Sequence, residues 1–198
     1  MFPEIVIYQN PLKDWLIATG IAVLFYLSVQ VAKRIIYKKL SLFAATTLTI
    51  WDDLLAELID RMNMVFFFLL AIYIGSLNIK IPDAAAVLLG HVVAVIGLIQ
   101  LGVLLAHAVN FWVSRFRKQK LESNAGAVTT LTSVGFVLRM LIWLILVLIG
   151  LDNLGIDITT LIAGLGISGI AVALAIQNIL GDLFASFSIV LDKPFVIG

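Results

Sequence analysis

Long apolar stretches separated by short polar segments are the main pattern in this chain. Five of them are close to the length that crosses a bilayer as a helix. They cover residues 12–32, 62–79, 84–113, 131–151 and 158–177, and we refer to them as spans one to five. The pattern predicts an all-α multi-pass membrane protein with five transmembrane helices.

The segment between the first two spans, residues 41–61, has a different pattern. Its apolar residues recur at helical spacing and lie opposite acidic ones, which predicts an amphipathic helix. The apolar set is Leu54, Leu55, Leu58 and Ile59, and the acidic set is Asp53, Glu57 and Asp60. Such a helix lies either at the inner membrane interface or in solvent as a linker. The adjacent Asp52 and Asp53 do not share a helix face, so a metal site here is disfavoured.

Composition supports the membrane assignment and excludes several other classes. Hydrophobic residues make up 62% of the chain, against about 45–50% in an ordinary soluble domain. The net charge of +1 argues neither for nor against nucleic acid, but the basic residues lie in loops rather than on one face, so we expect no nucleic-acid partner. The chain has no cysteine, which excludes disulfides and thiol chemistry. We expect no enzymatic activity, no metal and no cofactor.

The basic residues cluster after spans one and three. By the positive-inside rule these two ends are cytoplasmic, which places the N-terminus outside and the C-terminus inside a cell membrane. The N-terminal residues lack the basic segment of a cleaved signal peptide, so we expect span one to be retained as an anchor. Arg139, within span four, is expected to reach the inner headgroups. The residues predicted to contact lipid headgroups are Lys33, Arg34, Arg115, Arg117 and Arg139.

Span three contains three polar residues, His91, Gln100 and His107. Polar groups inside a transmembrane helix usually face other helices or a water-filled path. Interhelical hydrogen bonding and a proton relay both remain open for them.

Span five has a helical pattern of its own. At about 100° per residue, its medium-sized side chains form one stripe, and small residues form a flank on each side of it. The front stripe is Ala163, Ile167, Ile170, Leu174 and Gln177. The two small flanks are Gly166, Gly169 and Ala173 on one side, and Gly164, Ser168, Ala171 and Ala175 on the other. Small residues let helices approach closely in a membrane, so two small flanks predict a neighbouring helix on each side, as in a ring.

Asn178 follows this pattern directly. Asn is a strong N-cap, so we predict that one helix ends at Gln177 and that a second, amphipathic helix begins after a hinge at Asn178. Pro194 disfavours helix at Lys193, and the chain is expected to leave in an extended conformation.

The Gly/Ala-patterned run from Ala163 to Ala175, the Gln177-Asn178 pair and the final Lys193-Pro194-Phe195-Val196-Ile197-Gly198 resemble the pore helix of the small-conductance mechanosensitive channel family (MscS-like). The resemblance implies a homo-heptamer, with Ile170 and Leu174 as the pore constriction. It also implies a channel opened by membrane tension that passes ions and small solutes during hypo-osmotic shock, with membrane lipids as partners. A cytosolic β domain follows this element in the family, so we expect the chain to be truncated before it.

The predicted domain division follows from these assignments. Residues 1–120 are peripheral tension-sensing spans with their linker, and residues 121–157 hold span four. Residues 158–178 form the pore-lining helix, and residues 179–198 form the amphipathic helix and the start of the cytosolic domain.

Two other functional classes remain as alternatives. Gly166-Ile167-Ser168-Gly169 matches the GxSG signature of rhomboid intramembrane proteases, but both histidines of the chain precede Ser168, whereas a rhomboid histidine comes from a later span. A transporter is the other alternative, although the chain shows no inverted repeat.

Overall fold

The computed structural model describes residues 6–44, 50–120 and 125–192. A short hairpin comes first, followed by six helices. The elements are β1 (Val6–Ile7), β2 (Asn10–Pro11), α1 (Leu12–Ala44), α2 (Ile50–Asp60), α3 (Met64–Ser76), α4 (Asp83–Lys120), α5 (Ala125–Asn153) and α6 (Thr159–Asp192). The chain divides into two units, Met1–Leu154 and Gly155–Gly198. Within the described residues, four helices are long and apolar enough to cross a membrane. The all-α multi-pass fold class is therefore confirmed.

Span two differs from its prediction. The helix there, α3, has 13 residues, about 20 Å at 1.5 Å per residue, which is short of a hydrocarbon core of about 30 Å. It begins late because Asn63 caps it, the side-chain oxygen accepting the Val65 N–H at 3.0 Å. A fifth span exists only if α2 and α3 are taken together as one broken span, bent by 65°. We call the residues at this bend, 61–63, the elbow.

The amphipathic linker is a helix, as predicted, and it is packed. Leu54 of α2 is buried, and α2 contacts both α1 and α4. A linker helix surrounded by solvent would not bury this side chain, so that interpretation is wrong. Residues 45–49 of the predicted segment lie outside the described residues.

Glycines let helices of the first unit approach closely. A Cβ added at Gly75 of α3 would lie 2.7 Å from the Ala18 carbonyl oxygen of α1. A Cβ at Gly102 of α4 would lie 2.8 Å from Trp143, and one at Gly135 of α5 would lie 2.7 Å from Val113. Helices pack this closely in membranes where small residues remove the side-chain barrier.

The hairpin at the start of the chain was not predicted. Its strands pair antiparallel, and its two turn residues, Tyr8 and Gln9, have φ values of 49° and 63°. Positive φ at both positions suits the twist of a two-residue hairpin but is unfavourable for residues with side chains. The buried Asn10 compensates by forming two hydrogen bonds of 2.7 Å with the main chain of Lys80, one donated and one accepted. This pair ties the start of α1 to the segment before α4.

Helix α6 runs without interruption from Thr159 to Asp192. The predicted helix end at Gln177 is therefore wrong. A break would free backbone N–H and C=O groups, and in an apolar setting these need partners that a single helix does not supply. Asn178 as a point of bending stays a prediction. The predicted extended segment from Lys193 to Gly198 lies outside the described residues.

Candidate pore-lining helix

Helix α6 is the longest apolar element of the second unit. Its 34 residues correspond to about 51 Å, more than a membrane core requires. Its start is fixed by Asp157, whose side-chain oxygen accepts the Thr159 N–H at 2.8 Å. Hydrogen bonds from the Thr159 side chain and backbone lower the pKa of Asp157, so its carboxylate stays charged at the N-terminus of α6, where a negative charge is favourable.

The front stripe is exposed along its whole length in the protomer. Ile167, Ile170 and Leu174 are 71%, 63% and 66% exposed, and Ala163 and Gln177 are also exposed. Because the helix is continuous, Ile170 and Leu174 lie one turn apart on one face, as the sequence predicted. Gln177 is the only side chain of the stripe that can form hydrogen bonds.

The two small flanks are exposed as well. A Cβ added at Gly164, Gly166 or Gly169 would meet nothing within 4 Å, in contrast to Gly75, Gly102 and Gly135 of the first unit. Ser168, Ala171, Ala173 and Ala175 are exposed beside these glycines. The flanks therefore offer two smooth surfaces that a neighbouring helix can approach closely.

Ser168 takes part in the helix itself. Its hydroxyl donates to the Gly164 carbonyl oxygen, one turn back, at 2.9 Å. A serine nucleophile needs a general base within hydrogen-bond reach, and residues 155–198 contain no histidine. This arrangement explains Ser168 as part of a packing surface and gives no support to the protease alternative.

Three of the five basic residues predicted to contact headgroups, Lys33, Arg115 and Arg139, have partners within the protein. The Lys33 ammonium donates to the carbonyl oxygens of Asp60 and Met62, at 3.0 and 2.8 Å. Arg115 lies 3.9 Å from Asp53, and Arg139 donates to the Asn110 side chain. Complementary charge on α2 and α4 was a usable signal for the pair with Arg115. Nothing in the local sequence signals the partners of Lys33.

Headgroup contact stays a prediction for all five residues, including Arg34 and Arg117. Arg34 lines a cavity of about 420 Å³ together with Gln30, Tyr37 and Asp60, and Arg117 is exposed near the end of α4.

Gln100 confirms interhelical hydrogen bonding within span three. It is 8% exposed, its side-chain oxygen accepts the Asn63 N–H at 3.0 Å, and its amide donates to the Arg61 carbonyl oxygen at 3.4 Å. His107 Nε2 lies 3.9 Å from Glu57 Oε1. His91 lies nine residues before Gln100, on the opposite side of α4, so the three polar residues do not form one relay.

Comparison with known proteins points to one family. The family described as "Mechanosensitive ion channel, transmembrane helices 2/3" matches residues 136–177, which cover most of α5 and the first half of α6. The small-conductance mechanosensitive channel of Methanocaldococcus jannaschii is 27% identical over 97% of this chain and 55% of its own length. The large-conductance mechanosensitive channel of the same organism is 53% identical over 31% of this chain and 17% of its own length.

Another relative, the low conductance mechanosensitive channel of Escherichia coli, is 28% identical over 43% of this chain and 25% of its own length. The chain thus spans about half the length of these relatives or less. No solved structure matches it significantly. The matched residues include the front stripe and both small flanks of α6, and this part of the chain is similar to the transmembrane helices of MscS-like mechanosensitive channels.

Proposed function

We propose that this chain forms the membrane part of a tension-gated channel, in which copies of α6 from several subunits surround a central pore. One observation carries the proposal: α6 is an apolar helix whose described side chains are all exposed in the protomer, with small residues on both sides of one stripe. Neighbouring copies would cover the two flanks and turn the front stripe toward the axis of the ring. The resemblance to the family implies a heptamer.

Ile170 and Leu174 form the closed constriction in this proposal. Each would contribute an apolar ring, one helical turn apart, and neither side chain can replace the hydration shell of an ion. A narrow apolar ring stops conduction when water leaves it. Movement of α6 away from the axis would widen both rings and readmit water. No charged side chain lies on the stripe, so the open pore would select weakly among ions and small solutes.

The domain roles follow from the same arrangement. Helices α1 to α4, residues 1–120, would form the peripheral tension-sensing part, and α5 would connect it to the pore helix. The second half of α6 would continue toward the cytoplasm, bending at Asn178. Orientation by the positive-inside rule places the N-terminus outside the bacterial or archaeal cell membrane. The physiological role would be release of solutes when hypo-osmotic shock stretches that membrane.

Polar substitution of the constriction tests this function. Ile170→Ser or Leu174→Ser should hydrate the closed pore, lower the tension at which suction opens channels in a membrane patch, and slow the growth of expressing cells. Val172→Ser on the back of α6 is the matched control and should leave the opening tension unchanged. If both serine variants expressed at normal levels and opened at the original tension, Ile170 and Leu174 would not be the gate.

A further inference from the structure

One face of α4 carries three polar side chains that all point to α2 or the elbow. Gln100, His107 and Arg115 are separated by seven and eight residues, close to two helical turns each. Gln100 is bonded to Asn63, His107 lies opposite Glu57, and Arg115 lies opposite Asp53. Residue numbers rise along α2 as they fall along α4, so the two helices run antiparallel. We call this set of contacts the polar seam.

The elbow end of the seam is firmly held. Lys33 donates to the Asp60 and Met62 carbonyl oxygens at 3.0 and 2.8 Å, and the buried Gln100 bonds the main chain of Asn63 and Arg61 at 3.0 and 3.4 Å. These are backbone groups that a helix leaves unpaired where it ends. Removing a partner from such a group within a membrane protein is costly. Side chains from α1 and α4 therefore fix the bend between α2 and α3.

At the other end of the seam, the polar contacts between α2 and α4 are weak, while the neighbouring Leu54 is buried. The Arg115–Asp53 and His107–Glu57 pairs both measure 3.9 Å between nitrogen and oxygen, too long for hydrogen bonds. The Asp53 and Arg115 side chains are 41% and 44% exposed, and ion pairs of this kind contribute little and are screened by salt. A Trp51–Trp112 edge contact, with ring centroids 5.6 Å apart, adds to these pairs.

Part of the apolar surface of α2 remains exposed beside its contacts with α4. Trp51 and Leu55 are 62% and 48% exposed, on a short helix whose neighbours are the polar ends of two long apolar helices. Aromatic and aliphatic side chains in this arrangement insert into the interface between headgroups and acyl chains. Trp51 and Leu55 therefore give this end of α2 an apolar surface that a membrane could contact.

We propose that α2 is a flap that pivots at the elbow and is held against α4 by the Arg115–Asp53 and His107–Glu57 pairs. Separation of α2 from α4 is then a step in channel opening. Release lets α1, α2 and α4 spread at one face of the membrane, and tension favours whichever state occupies more area in the membrane plane. The strength of these two pairs between α2 and α4 then sets the tension at which the channel opens. The link to opening rests on the proposed channel function, whereas the flap itself does not.

Hydrogen exchange tests the flap without reference to conduction. Asp53→Lys and Arg115→Asp should each speed amide exchange across residues 51–60 by about three- to fivefold, because each single change sets like charges against one another. The double exchange of charges should restore the slow rate. Asp152→Lys, with the same charge change at the end of α5, should leave residues 51–60 unaffected. Equal exchange in wild type and both single variants would overturn the flap.

Patch recording then tests the link to opening. The two single variants should open at lower tension than wild type, and the double variant should open near the wild-type tension. If the double variant restored slow exchange while all three variants opened at one unchanged tension, the flap would exist but would not control opening. If wild type passed no current under suction, the proposed channel function would fail and the exchange result would still decide the flap.

Discussion

Asp157 shows how a single residue at the start of α6 makes the structure depend on pH. The Thr159 side chain and backbone N–H hold the pKa of the Asp157 carboxyl below its ordinary value of 3.8. A lowered pKa in the folded state means that the carboxylate stabilises the helix start at every pH above that ordinary value. The stabilisation is lost as the pH falls through the lowered pKa.

The first turn of α6 should therefore loosen in acid. We expect the protection factor of the Thr159 amide, measured by NMR in micelles, to be constant from pH 8 to pH 5 and to fall below pH 4. Asp157→Asn keeps an oxygen that can accept this hydrogen bond but does not titrate, so its protection should not change with acid. Equal acid sensitivity in wild type and Asp157→Asn would assign the effect to another group.

At the scale of elements, close helix contact at glycine is the feature with the clearest consequence. A Cβ at Gly75 would lie 2.7 Å from a backbone oxygen of α1 and 3.1 Å from the Ala22 Cβ, and backbone cannot move aside cheaply. Gly75→Ala should therefore destabilise the first unit by about 1–3 kcal/mol.

Gly20 provides the matched control for this change. It lies on α1, and an added Cβ there would meet nothing within 4 Å. Gly20→Ala should leave stability unchanged or raise it by up to about 1 kcal/mol through helix propensity. Thermal unfolding in one detergent compares the two variants. Equal midpoints would show that α1 and α3 do not depend on this contact.

The elements themselves were largely predictable, because hydropathy detects any helix that must fill a membrane. The residues at which the helices end could not be predicted. Span one was predicted to stop at Ala32, but α1 continues to Ala44 through Lys33, Arg34, Lys38 and Lys39. Hydropathy reports where the membrane core ends, whereas the backbone hydrogen bonds of a helix continue into the polar region. For the same reason α4 extends beyond Val113 to Lys120.

Contacts between distant residues could not be predicted. Asn10 and Lys80 are 70 residues apart, and the hairpin they secure has Tyr and Gln at positions where Asn or Gly would have signalled a turn. Lys33 and Gln100 meet at the elbow only because α1 and α4 flank it. The placement of the front stripe and flanks on α6 follows from helical periodicity alone, and their role in a pore stays a prediction.

For the whole molecule, the two small flanks predict assembly. Gly169→Leu should disrupt the ring, because a bulky side chain on a flank keeps neighbouring helices apart. Val172→Leu places the same residue on the back of α6 and should leave assembly intact. Native mass spectrometry of detergent-purified protein gives the subunit number for both variants. Normal assembly of Gly169→Leu would mean that the flank is not buried between subunits.

Cysteine accessibility along α6 tests the central claim, that the front stripe lines a pore. The chain has no cysteine, so each substitution introduces a single thiol. With channels held open by suction, a charged, water-soluble thiol reagent should react with Cys at Ile167, Ile170 and Leu174 and reduce the current. Cys at Ala171 on a flank or Val172 on the back should be protected. Current block through Cys at Val172, with none through Cys at Ile170, would contradict the account.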